Sequence, residues 1–214
     1  MLSLSTSGRA PKQPAEQREA TILAGARRVF AGRSFAQADT TELAAAAGVK
    51  PAALYRYFPS KRDLYLATLR DAGPRLLELW RRAIAAAPEP EEALRSIGVA
   101  YYDHAASRSP VMRLWFQAVG EASDPEVRAI VAETIGESVG LVAGIIAQGQ
   151  ERGTFAPSLD PRAEAWRFMG IGLSMDIMHV LGFGADLDRR RVESWGAAFI
   201  DSLRAPYPAG SEIV

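Results

Sequence analysis

Residues 39–62 read DTTELAAAAGVKPAALYRYFPSKR, a string that few folds accommodate. Asp39 is an N-cap residue and Glu42 follows three places later, so the pair predicts a reciprocal capping box opening a helix. Leu43, Ala44 and Ala47 share its inward face. Gly48 supplies the left-handed residue that ends a helix in a tight turn. Pro51 then stands at the first position of another helix, where a missing N–H costs nothing. The pattern predicts that this helix spans 51–57, before Pro59. Two short helices folded about a glycine, the second closing on Tyr55-Arg56-Tyr57-Phe58, have the layout of a helix-turn-helix DNA reader.

The remainder is also helical in pattern. Ile22, Leu23, Ala26, Val29 and Phe30 form one apolar stripe from a helix beginning near Glu16. Gly32 to Ser34 end it, and Phe35 packs the return. Ser60 with Asp63 forms a second capping box at the head of a long helix, which Gly73-Pro74 is expected to kink or divide. Ser109-Pro110, Asp124-Pro125 and Asp160-Pro161 each join an N-cap to a proline at the first helical position. Helices are therefore expected near 90–107, 110–121, 125–152, 161–183 and 188–203. No strand pattern of comparable strength is present, so the expected class is all-α.

Apolar residues make up 48% of the 214 and charged residues 23%, ordinary values for a globular protein that buries a core. There is no cysteine, which excludes a disulfide scaffold, a thiolate metal site and a cysteine nucleophile, and fits a reducing cytoplasm. The start, MLSLSTSGRAPKQPAEQ, lacks the basic and apolar blocks of a signal peptide. The stretch Phe168 to Ala185 is taken as the most apolar; Asp176, His179 and its glycines argue against a membrane span. Net charge is zero, but residues 1–70 hold eleven bases against five acids and the rest holds fourteen against twenty. A basic head on an acidic body suits a head that meets a polyanion.

With these residues in view, the chain resembles the TetR family of bacterial transcription regulators. The likeness covers roughly residues 18–69: Ile22-Leu23-x-x-Ala26-x-x-Val29-Phe30, Phe35, Leu43-Ala44-x-x-Ala47-Gly48-Val49, Leu54-Tyr55-x-Tyr57-Phe58 and Ser60-Lys61-x-x-Leu64. It implies a three-helix DNA-binding head, a long fourth helix leading to a larger helical-bundle body, about nine helices in all, and a homodimer joined through the last two helices. It implies a small-molecule pocket in the body, and most such proteins are repressors released by ligand. Accordingly residues 1–14 are read as a flexible arm, 15–60 as the helix-turn-helix domain, 61–205 as the ligand-binding and dimerisation domain, and 206–214 as a tail. An arm carrying Arg9 and Lys12 has the means to add DNA contacts. Some positions depart from the family pattern. Ser34 replaces the usual Gly, Asp39 the usual Thr, Lys50 the usual Ser N-cap, and Ala52-Ala53 the usual Gly-Thr or Gly-Ser.

The recognition helix must lay its first turn against base edges. Ala52 and Ala53 permit close approach and offer methyls to thymine. Lys50 and Arg56 can donate to guanine or phosphate, and Tyr55 and Tyr57 offer rings and hydroxyls. Thr41, with nearby backbone N–H groups, and Lys61, at the positive end of the long helix, are placed as phosphate contacts. A two-fold dimer sets its two recognition helices roughly 34–36 Å apart, so the operator is expected to be a palindromic double-stranded DNA.

For the effector, the candidate lining is Trp80, Tyr101, Tyr102, His104, Met112, Trp115, Phe116, Gln117, Met169 and His179, suited to an apolar or aromatic molecule. Asp176 and His179, one turn apart, are expected to bond to one another or across a dimer. The dimer face is assigned to Trp166, Met169, Leu173, Ile177, Trp195, Phe199 and Leu203, with Gly170, Gly172 and Gly196 allowing close helix approach. The same aromatics also suit plain core, and the same stripes the inside of one subunit. No P-loop, dinucleotide turn or His-Glu-x-x-His is present, so neither an enzyme nor a metal or other cofactor is expected. The competing reading is a helical ligand-binding or protein-interaction module that has lost DNA binding.

Overall fold

A computed structural model describes residues 15–106 and 109–204. The expected arm, residues 1–14, and tail, 206–214, lie outside the described residues. The described chain forms α1 (Ala15–Gly32), α2 (Thr40–Ala46), α3 (Pro51–Leu54), α4 (Lys61–Ala85), α5 (Pro90–Ala106), α6 (Pro110–Gly120), α7 (Pro125–Glu151), α8 (Pro161–Val180) and α9 (Arg189–Arg204), with a 3₁₀ turn at Phe183–Asp186. No strand occurs among the described residues. The chain divides into two compact units, the first ending at Thr68 and the second beginning at Leu69.

The three Pro-led helices start as their caps dictate. The Ser109 hydroxyl accepts from the Val111 N–H, the Asp124 carboxylate from Glu126 and Val127, and that of Asp160 from Arg162. One cap expectation needs correction. Asp39 accepts from the Thr41 N–H at 2.6 Å, but the Glu42 carboxylate lies 2.9 Å from Arg33 at the end of α1. An exposed guanidinium displaces it from the reciprocal bond. Gly73-Pro74 does not divide α4, which is continuous to Ala85. Gly73 instead lets α7 approach: a Cβ there would stand 2.5 Å from the Thr134 hydroxyl oxygen. Helix α8 ends at Val180 rather than 183, because Gly182 turns left-handed at φ 87°.

The first unit is organised by close backbone approach. A Cβ on Gly25 of α1 would fall 2.8 Å from the Ala46 carbonyl at the end of α2. Arg28, one turn on, donates to that same carbonyl at 2.8 Å and so caps α2. Gly48, at φ 65°, makes the turn. Ile22, Ala26, Phe30, Leu43, Ala44, Leu54, Phe58 and Leu64 fill the core. Phe30 meets Tyr65 edge-on with ring centroids 4.9 Å apart.

In the second unit α7 packs on α8 and α5 on α9. Ion pairs hold α9 to α5 near both ends, Arg189 to Asp103 at 2.6 Å and Arg204 to Glu91. The most apolar long helix is α7, not the stretch beginning at Phe168. It is long and apolar enough to cross a bilayer. Here it is a core helix, with Val139, Val142 and Ile146 fully buried. A ring from the following loop replaces the missing side chain of Gly149, where a Cβ would stand 2.1 Å from Phe155.

Candidate DNA-reading surface and effector cavity

The recognition segment is wound more tightly than expected. Only Pro51–Leu54 is α-helix; Tyr57 and Phe58 then both bond back to the Leu54 carbonyl, at 3.0 and 3.1 Å. Leu54 and Phe58 are buried and act as the two pegs of the segment, which turns the intervening residues outward. Lys50, Ala52, Tyr55 and Arg56 are exposed, while Ala53 and Tyr57 are half-buried. Lys50 makes no capping bond, so its side chain is not spent on the helix it precedes.

Three of the expected phosphate contacts have internal partners. The Tyr55 hydroxyl lies 3.1 Å from that of Thr40, tying α3 to the first turn of α2. Thr41 directs its N–H, then its hydroxyl, at Asp39, and holds that carboxyl below the usual carboxylate range. The Thr41 N–H is therefore committed to Asp39. The Lys61 ammonium donates to the Ala38 carbonyl at 3.0 Å and stands 4.7 Å over the Phe35 ring. It is half-buried, with two of its three N–H donors left over. Sequence reasoning missed Ala38 and Phe35 as its partners because a carbonyl acceptor leaves no trace in side-chain pattern.

The second unit encloses a cavity of about 300 Å³, walled almost entirely by apolar groups. Trp80 of α4, Tyr101 of α5, Met112, Trp115 and Phe116 of α6 and Met169 of α8 line it, all six expected from sequence. Tyr102, His104, Gln117 and His179 do not. Tyr102 is turned away, with its hydroxyl 3.3 Å from the Leu187 carbonyl and its ring against Met175 and Val192. The His179 ring nitrogen Nδ1 lies 3.0 Å from the Met175 carbonyl one turn back, so it does not bond Asp176. Burial lowers the basicity of His104, but its imidazole is no part of the wall.

Asp176 does line the cavity. Tyr101 donates its hydroxyl to Oδ2 at 2.6 Å, whereas Oδ1 is buried without a hydrogen-bond partner. Burial pushes this carboxyl up to about 6, and the Tyr101 bond and nearby His179 only partly offset that. The Tyr101 hydroxyl is in turn held protonated by burial and by the carboxylate. One carboxylate in a run of apolar helix was the available signal; its partner was not readable from 75 residues away. Among the described residues no three His, Cys, Asp or Glu side chains gather in a way that holds a metal ion.

Helix α8 carries a partly exposed apolar row. Met175 is buried, whereas Trp166, Leu173 and Ile177 are 50%, 53% and 41% exposed, followed by exposed Val180 and Leu181; Trp166 and Leu173 also line the cavity beside Met169. The dimer assignment of two residues changes. Phe199 and Leu203 are buried in the subunit's own core, the Phe199 ring 5.4 Å from that of Phe168 on α8, while Met169 lines the cavity as Trp166 and Leu173 do. Trp195 is half-buried beside a shallow groove that includes Gly170 and Ser174 of α8.

Residues 22–68 match the family described as bacterial regulatory proteins, tetR family, and residues 90–205, more than half of the chain, match the C-terminal region of BetI-type transcriptional repressors. The transcriptional activator FasR of Mycolicibacterium smegmatis is 32% identical over 123 residues, 58% of this chain and 56% of FasR. The chain thus aligns with little more than half the length of that relative. A transcription regulator from Saccharomonospora viridis in complex with choline shares the fold at a TM-score of 0.77 and 20% identity, over 87% of this chain and 96% of that one. FadR of Bacillus subtilis in complex with stearoyl-CoA gives 0.72 and 18%, over 87% and 97%. The chain belongs to the TetR family of bacterial regulatory proteins.

Proposed function

We propose that this regulator is a repressor that binds a palindromic operator as a homodimer and leaves it when a small apolar or aromatic molecule occupies the cavity of the second unit. The observation that carries the reading is the cavity itself, whose wall includes Leu76 and Trp80 of α4. The chain passes from the first unit to the second within that helix. A molecule that prefers one placement of these two side chains acts directly on α4, and differential affinity is all that a switch requires.

On this reading residues 15–60 read DNA and 61–205 bind effector and partner. Lys50, Ala52, Ala53 and Arg56 face base edges, Tyr55, Tyr57 and Lys61 the strands, and Thr41 supports them through Asp39. Trp166, Leu173 and Ile177 of α8 cover their counterparts in the second subunit, because an apolar helix face of this size calls for a partner. Repression is supported by the match to BetI-type repressors, although FasR is named an activator. The two ligand-bound neighbours hold chemically unlike molecules, choline and stearoyl-CoA, so the effector has to be argued from this cavity. The protein acts in the cytoplasm by stoichiometric binding, not by turnover.

The test is fluorescence anisotropy of the purified protein on duplexes from its own promoter. The reading requires salt-sensitive binding of two protomers per palindrome, released by a cavity ligand. Binding that no cavity ligand alters removes the switch; a reporter that loses expression when the gene is deleted makes the protein an activator.

A further inference from the structure

Three residues that line the cavity each carry a buried polar atom without a partner: Asp176 Oδ1, Trp80 Nε1 and Trp115 Nε1. An unmet buried carboxylate oxygen costs far more than an unmet indole N–H, because it carries charge. Only a phenol hydroxyl answers the Asp176 charge directly. His179 acts on it at longer range, and its ring bonds to the Met175 carbonyl. Arg95 and Glu193 are the other charged residues of the wall, both exposed and opposite in sign. A carboxylate left without a counter-ion is thus set among the rings of Trp80, Tyr101, Trp115 and Phe116. A cation gains from both, by charge pairing at the oxygen and by the negative faces of the rings.

We propose that the cavity takes an organic amine with an apolar body, its protonated nitrogen paired with the Asp176 carboxylate and its body along the aromatic wall, and that Asp176 is the group that selects it. Fatty acids and acyl thioesters, which bring a like charge or no donor to Asp176, are disfavoured. This rests on the reading of the cavity as the effector site.

Quenching of Trp80 and Trp115 fluorescence by n-octylamine, 1-octanol and octanoate at pH 8 tests it. At that pH the Asp176 carboxyl is charged, as is an alkylamine, whose pKa is like that of a lysine, about 10.4. The wild-type protein should bind octylamine at least tenfold more tightly than either analogue. Asp176→Asn should abolish that preference while still binding octanol, which shows that the cavity is intact. Tyr101→Phe, which keeps the carboxylate, should retain it. Equal or tighter binding of octanol or octanoate by the wild type overturns the proposal, as does an amine preference that survives Asp176→Asn or disappears in Tyr101→Phe. Operator release separates the two readings. Octylamine held through Asp176 without release upholds the anchor and defeats the effector role; release by octanoate alone upholds the effector role and defeats the anchor.

Discussion

The Lys61 ammonium sits 3.0 Å from the Ala38 carbonyl, so the first residue of α4 is tied to the residue that precedes the cap of α2. A charge that sequence pattern assigns to phosphate is thereby also a fastener within the first unit. Lys61→Met should remove the bond and the contact with Phe35 and lower stability by about 1–2 kcal/mol. Its remaining donors are free for a strand, so the salt slope of operator binding should also fall by about one. Urea melts together with a salt titration check both; an unchanged slope with lowered stability would leave Lys61 purely internal.

Gly25 sets how closely α1 and α2 lie. A methyl at that position meets backbone, which cannot swing aside. Gly25→Ala should cost about 1–3 kcal/mol, as overpacking does, and should weaken DNA binding at temperatures where the second unit remains folded. Thermal melts of the variant check it, and a Tm equal to wild type would show that α2 can retreat.

Asp176 gives the second unit an unusual acid response. Its carboxyl is raised to about 6, so the folded chain binds that proton more tightly than the unfolded one. Protonation then favours folding: the contribution is unfavourable above pH 6 and disappears as pH falls toward 4. Asp176→Asn should be more stable than wild type at pH 8, by on the order of 2 kcal/mol, and the difference should close by pH 4. Denaturant melts at both pH values measure it; a gap that widens on acidification would contradict the burial of this group.

The exposed row on α8 gives a route to the assembly state. Leu173→Glu with Ile177→Glu places charges on residues 53% and 41% exposed in the single chain, so the fold should survive while the dimer dissociates. Sedimentation should report a monomer with unchanged helicity. A dimer that persists would move the interface elsewhere.

How much of this was legible in the sequence differs from element to element. The Pro-led helices, the Gly48 turn and the inward places of Leu54 and Phe58 were readable because they depend on neighbours within a few residues. Six cavity residues were also readable, as large apolar groups on facing helices. What escaped depends on partners distant in the chain. Glu42 goes to Arg33, Tyr101 to Asp176, and α9 buries Phe199 and Leu203 in the core of its own subunit. An amphipathic stripe states that a face is covered, not whether the cover is the same subunit or another.

The central claim is that the short segment held by Leu54 and Phe58 turns Lys50, Ala52, Tyr55 and Arg56 toward a duplex. The most direct measurement is selection of DNA from a random pool by the purified wild-type protein, repeated with Lys50→Ala and Arg56→Ala. The account predicts an inverted repeat with half-sites one helical turn apart, and a relaxed preference at particular positions in the variants. Recovery of no common sequence at low ionic strength, or of the same sequence with the same stringency from both variants, would contradict it.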